Sequence, residues 1–133
     1  MATGVQHIHS NDLVHGNLKP DNFLICNSDG WVRLKVADFA CSKKNEKGRI
    51  SFKTKTIGDL HYLAPELLQV MDKDQVQTNE LQVPQMTNAS DVFALGCVFY
   101  KFLTKAHPFG KENIISNIRN GRFDLSGMLV ASS

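Results

Sequence analysis

Asn17, Lys19, Asn22, Asp38 and Asp59 are the side chains whose types could do chemistry in this chain. Carboxylate and amide oxygens are the hard donors that Mg2+ accepts, usually beside phosphate oxygens. An ammonium such as that of Lys19 neutralises phosphate as a point charge. A neutral amide such as that of Asn17 has no carboxylate with which to take a proton at neutral pH. Taken one at a time, each residue has a plain structural alternative. An isolated aspartate is most often a solvated turn residue, a lysine a surface charge and an asparagine a turn former. His7, His9, His61 and His107 form no metal-ligand pattern, and His7 and His9, two apart, fall on different helix faces. Cys26, Cys41 and Cys97 are odd in number and widely spaced, which fits neither a disulfide framework nor a zinc site.

The elements that must position these residues are readable from pattern. Residues 2–9 read as the end of a helix, and Asn11-Asp12 as a turn. Leu13-Val14-His15 and Phe23-Leu24-Ile25 flank a polar loop holding Lys19-Pro20-Asp21. Asn27-Ser28-Asp29-Gly30 is a turn signal between Phe23–Ile25 and the alternating run Trp31–Val36, so a β-hairpin is expected there. Residues 42–59 are basic and polar, a long loop of the sort that is usually functional or disordered. Pro65 opens a helix, and residues 71–89 read as an irregular polar insert. Ser90 or Asp91 can cap an apolar helix over 92–104, which is hydrophobic nearly all round and so expected to be buried. Ile114, Ile115 and Ile118 give a helix over 113–120, ended by Gly121. The tail FDLSGMLVASS carries no clear element.

At 133 residues the chain has the size of one domain. A net charge of +2 gives no ground for a nucleic-acid partner. The longest apolar run, Val92 to Tyr100, is too short for a membrane span of about 20 residues, and the first residues carry no apolar signal core. The unpaired cysteines fit a reducing, cytoplasmic compartment, although a longer parent protein anchored in the endoplasmic-reticulum membrane is compatible with this.

Four stretches together carry a resemblance. His15-Gly16-Asn17-Leu18-Lys19-Pro20-Asp21-Asn22 resembles the protein-kinase catalytic loop H-R-D-L-x-x-x-N. Ala37-Asp38-Phe39-Ala40 sits where kinases carry D-F-G. Ala64-Pro65-Glu66 matches the A-P-E that closes the activation segment. Asp91-Val92-Phe93-Ala94-Leu95-Gly96-Cys97 resembles the start of the buried helix of the kinase large lobe. Each is weak alone, but their order and gaps, with a hairpin between the first two, are specific. The resemblance covers roughly residues 3 to 125. Val98-Phe99-Tyr100, then His107-Pro108-Phe109-Gly110 and Cys41-Ser42-Lys43-Lys44, are similar to the inositol-requiring kinase/endoribonuclease family of the unfolded-protein response.

The resemblance implies an α+β, mainly α fold: a kinase-like C-terminal lobe with a small β-hairpin and a buried central helix. The chain then reads as one partial kinase-like domain, 1–133, with a catalytic loop 15–22, an activation segment 38–66 and a buried helix 91–104. It makes Asp38 and Asn22 the Mg2+ ligands and Lys19 the contact to the transferred phosphate. Phe23, Leu24 and Ile25 become the floor of the nucleotide pocket, supported by Val98 and Phe102. His15 and Phe39 stack in the lobe core, Glu66 closes the activation segment, and Asp91 accepts backbone N–H bonds from the catalytic loop. Ser51, Thr54 and Thr56, in the basic loop, are candidate phosphorylation sites.

The departures matter as much. Asn17 stands where kinases have the Asp that accepts the substrate hydroxyl's proton. General-base help is worth roughly 10²–10⁴-fold, so its loss should cripple turnover without touching metal binding. Gly16 replaces an Arg that pairs with a phosphorylated activation loop in many kinases. Ala40 replaces the last Gly of D-F-G, which disfavours positive-φ states. Asp59 stands where many Ser/Thr kinases have Thr, near the catalytic residues. It is expected to pair with Lys19 or, less favourably, to serve as a displaced base.

No Gly-rich phosphate loop and no V-A-I-K lysine are present, so the N-terminal lobe is absent from this chain. ATP and Mg2+ are expected in a complete domain, and weak binding or none by this chain alone. The partner is then a protein or the missing N-lobe. Three readings stay open: a pseudokinase or regulatory module, a fragment of an active Ser/Thr kinase with Asn17 compensated elsewhere, and a non-enzymatic truncated remnant.

Overall fold

The computed structural model describes residues 1–44, 57–71 and 86–131. Helix α1 (Ala2–Ser10) buries Val5 and Ile8, which lie three apart on one face. A short strand β1 (Leu13–Val14) follows. A single 3-10 turn, Pro20–Asn22, opens with proline and leads into β2 (Phe23–Ser28). Strand β3 (Trp31–Val36) pairs with β2 antiparallel, in a register running from Phe23 opposite Val36 to Ser28 opposite Trp31. Asp29 and Gly30 make the two-residue turn, both at positive φ (52° and 79°), the backbone that keeps a tight hairpin in twist with its strands. The expected hairpin is therefore present, with its first strand three residues longer than the apolar run. Only Phe23 of β2 is buried.

Residues 42–59 are not loop throughout. Lys43–Lys44 forms β4, antiparallel to β1, and Ile57–Leu60 forms one helical turn, α2. A two-residue strand has too little length to show periodicity. Helix α3 (Pro65–Met71) starts on Pro65 and buries Leu67 and Leu68. The proposed phosphorylation sites Ser51, Thr54 and Thr56, and residues 72–85 of the polar insert, lie outside the described residues.

Helix α4 (Asn88–Thr104) begins three residues before the expected 91–104 helix. Its cap is Thr87, whose side chain accepts the Ser90 N–H while Ser90 returns a bond to the Thr87 N–H. Ser90 is thus the second half of a reciprocal cap rather than the cap itself. Nor is α4 buried all round. Asp91, Ala94, Leu95 and Val98 face the interior, while Val92 and Leu103 are exposed. Helix α5 (Ile114–Arg119) is close to the expected span, with Ile118 buried.

The tail expected to carry no element forms α6 (Ser126–Ala131). The Asp124 carboxylate accepts the Ser126 N–H at 2.8 Å, and the Tyr100 hydroxyl donates to the Asp124 carbonyl at 2.8 Å. Gly127 lies so close to α4 that a Cβ there would stand 2.9 Å from the Tyr100 oxygen. Docking on α4, not helix propensity, explains this short element.

Two apolar clusters make the core. One gathers Val5, Leu18, Phe23, Ala94, Leu95 and Val98; the other gathers Val14, Leu63, Ala64, Leu67, Met86 and Ile118. Phe93 of α4 and Phe109 pack against both, so α4 is the axis on which the loops are hung. Among the described residues no helix is long and apolar enough to cross a membrane.

Candidate functional site

Asp91 organises the loop that carries Asn17 and Lys19. It is buried near the start of α4, and its Oδ2 accepts the His15 N–H at 2.8 Å while Oδ1 accepts the Gly16 N–H at 2.9 Å. The His9 Nε2 lies 2.9 Å from the same Oδ2 and donates to it. Desolvating a carboxylate is costly unless it is fully hydrogen-bonded, and these donors meet that need. Asp91 thus accepts backbone N–H bonds from both His15 and Gly16. His9 was not foreseen, because only the approach of α1 to α4, across 82 residues of sequence, brings it there.

His15 is fully buried. Its Nε2 donates to the Ala37 carbonyl at 3.0 Å, which leaves Nδ1 to accept the Asn17 N–H at 3.2 Å. The ring meets Phe39 edge-on, with centroids 5.1 Å apart. Imidazole thus ties the loop of residues 15–22 to the segment bearing Asp38. A second tie is the Ala37 N–H, which donates to the Asn22 carbonyl at 2.8 Å.

Asn22 is buried, and its Nδ2 donates to the Asn17 carbonyl at 2.7 Å. With the nitrogen end so fixed, the amide oxygen is the end left to act as a donor atom. Asp38 is exposed, at φ 64°, and among the described residues its Oδ1 receives one long contact, 3.4 Å, from the Ala40 N–H. A non-glycine residue held at positive φ is uncommon. One oriented amide oxygen and one open carboxylate, on segments joined by the Ala37 N–H bond to the Asn22 carbonyl, suit a hard cation that fills its remaining positions with phosphate and water. Among the described residues no cluster of three or more His, Cys, Asp or Glu side chains forms a self-sufficient metal cage.

Lys19 and Asp59 meet across the loop and α2, Nζ to Oδ1 at 2.5 Å. That hydrogen bond raises the Lys19 pKa against the effect of burial, helped by the charges of Asp59, Asp21 and Asp38. Asp59 lines a small cleft together with Gly16, Asn17 and Leu18. It also lines a larger cavity, of about 260 Å3, together with Lys19, Asp21, His61, Tyr62 and Lys101. The Lys101 Nζ donates to the Tyr62 hydroxyl at 3.3 Å on that wall. Asp59 therefore touches Lys19 and shares a cleft with Asn17.

Phe23, Leu24 and Ile25 divide. Phe23 is buried in the cluster with Val98 and meets Phe102 edge-on at 6.5 Å. Leu24 and Ile25 are 52% and 71% exposed, an apolar pair on an open strand. Glu66 is exposed at the start of α3. Gly16 has φ 76°, and a Cβ there would collide with the Met86 sulfur. Met86 thus fills the space beside Gly16, a pairing that sequence reasoning missed because the two lie 70 positions apart and nothing local links them.

The model of the protein kinase domain family matches residues 1–129. The chain is 39% identical over 141 residues to the "Sensor for unfolded proteins in the ER ire1" of Schizosaccharomyces pombe, an alignment covering 94% of this chain and 13% of that protein. It is 39% identical over 115 residues to the human "Serine/threonine-protein kinase/endoribonuclease IRE2", covering 83% of this chain and 11% of that protein. The chain therefore spans a small part of the length of these curated relatives. A solved structure, "Crystal structure of Rad53 kinase domain and SCD2", superposes with a TM-score of 0.63 at 24% identity, over 96% of this chain and 38% of that one. At that identity the likeness speaks for the fold alone.

Proposed function

Because this chain belongs to the protein kinase family and is similar to IRE1-type kinase/endoribonucleases, we propose that it is part of a kinase large lobe acting as a regulatory module. In this reading it keeps the Mg2+–nucleotide residues and has lost phosphoryl transfer. Residues 15–22 act as the catalytic loop, 38–66 as the activation segment. Asp38 and the Asn22 amide oxygen hold Mg2+, and Phe23, Leu24 and Ile25 form the apolar floor under the base. Mg2+ would neutralise and orient the phosphates. The exposed Leu24 and Ile25 are compatible with a surface that a nucleotide or a second lobe covers. A cytoplasmic location, beside a parent anchored at the endoplasmic reticulum, belongs to the same proposal.

The observation that carries it is Asn17. Its backbone is held at both ends, N–H on His15 and carbonyl on Asn22, and in this reading its neutral amide stands where the family's catalytic loop carries the proton-accepting Asp. The loss of general-base help costs about 3–5 kcal/mol of barrier. A second reading, a working Ser/Thr kinase, rests on the Asp59 carboxylate in the same cleft. That carboxylate is already engaged by Lys19, which lowers its strength as a base.

Binding and transfer are tested separately. With Mn2+ in place of Mg2+ and millimolar ATP, NMR signals of Asn22 and Asp38 should broaden in a complete kinase domain that carries this chain, and Asp38→Ala should abolish the effect. Phosphate transfer to a generic protein acceptor should stay at background. Absence of any nucleotide-dependent broadening would remove the metal-site reading. Transfer by the unmodified chain that equals that of Asn17→Asp would remove the pseudokinase reading and favour a compensated kinase.

A further inference from the structure

We propose that Asp59 and Lys19 form a charged clasp that holds the end of the activation segment on the catalytic loop without phosphorylation, and withholds Lys19 from phosphate. The two residues are 40 positions apart, and their contact joins the loop of residues 15–22 to α2. Both side chains are largely out of water, Lys19 at 23% and Asp59 at 10% exposure. An ion pair so placed is poorly screened, and removing one partner strands the other charge. Removal is therefore felt more than at a surface pair.

The surroundings favour clasp over base. A carboxylate bonded to an ammonium is stabilised in its ionised form, so it is a weaker proton acceptor. The hydrogen bonds Tyr62 N–H to the Asp59 carbonyl (3.2 Å) and Leu63 N–H to the Leu60 carbonyl (3.2 Å) carry the fixed position onward. Tyr62, Leu63 and Ala64 are buried, so the clasp is continuous with the core through the residues that precede α3. Gly16, with Met86 against it, offers no guanidinium for a phosphate on this segment. The segment then needs another anchor, and Asp59 supplies a permanent negative charge in place of a reversible one. The inference rests on the proposed function only for what Lys19 is withheld from; the clasp itself requires no nucleotide.

The test uses this chain without nucleotide. Lys19→Asp and Asp59→Lys, each alone, should raise hydrogen exchange over residues 57–63 by on the order of tenfold. The charge-swapped double variant, Lys19→Asp with Asp59→Lys, should return exchange to near the starting level. In addition, Asp59→Thr should speed acylation of the Lys19 amine at mildly alkaline pH by several-fold, read by mass spectrometry, with the circular dichroism unchanged. A double variant that exchanges as fast as the singles overturns the clasp, as does Lys19 labelling that is indifferent to Asp59→Thr. Because no nucleotide is present, these outcomes are independent of whether Asp38 and Asn22 bind metal.

Discussion

At the scale of single residues, burial decides how much a polar group matters. Asp91 and Asp38 are both aspartates near backbone N–H groups, yet Asp91 is enclosed with three donors and Asp38 is open with one long contact. Asp91→Ala should therefore cost about 3 kcal/mol or more of stability, since the N–H groups of His15 and Gly16 would lose the buried carboxylate that accepts from them. Chemical denaturation measures this, and Asp38→Ala should be near neutral in the same assay. Gly16→Ala should also destabilise, by about 1–2 kcal/mol from the positive φ alone, with the Met86 contact added. A cost no larger than the positive-φ cost there would show that Met86 moves aside. Cys97 presents the opposite case: burial pushes its thiol up to about 12, so alkylation at pH 8 should spare Cys97 while the half-buried Cys26 and Cys41 react.

At the scale of elements, caps and close approaches set boundaries that hydropathy does not. The reciprocal bonds between Thr87 and Ser90 start α4, and Thr87→Ala should lower stability by about 1 kcal/mol, measured as a shift of the denaturation midpoint. Helix α6 exists because Gly127 lets it lie against Tyr100 and Thr104. Both features were present as letters in the sequence, but a Thr, a Ser and a Gly are common residues. Their roles are decided by which backbone groups need partners.

At the scale of the whole molecule, α4 supports everything at one end and carries an unshielded apolar face at the other. Val92, Phe99, Leu103, Phe123, Leu125 and Met128 line a groove of about 350 Å3. The loop after α4 holds a pH-sensitive contact. The His107 Nε2 donates to the His61 carbonyl at 3.0 Å, and its Nδ1 accepts the Phe109 N–H at 3.3 Å. Burial lowers the His107 pKa from its ordinary 6.5 to about 4, only partly offset by the bond to His61. The folded state then binds fewer protons than the unfolded state between these values. Stability from this group is full above pH 6.5 and falls as pH drops towards 4. Thermal midpoints should decline across that window, and His107→Gln should flatten the decline.

Local chemistry in the sequence was enough for the hairpin, the proline-led α3 and the order of the four motifs. Each of these depends on neighbours in the chain or on a spacing that a strand or helix enforces. What folding alone decided were contacts between distant segments: His9 on Asp91, Met86 in the space beside Gly16, α6 on α4, and the exposed side of a helix that reads as apolar all round. Those depend on which surfaces exclude water together, and a linear pattern carries no term for the partner across the gap.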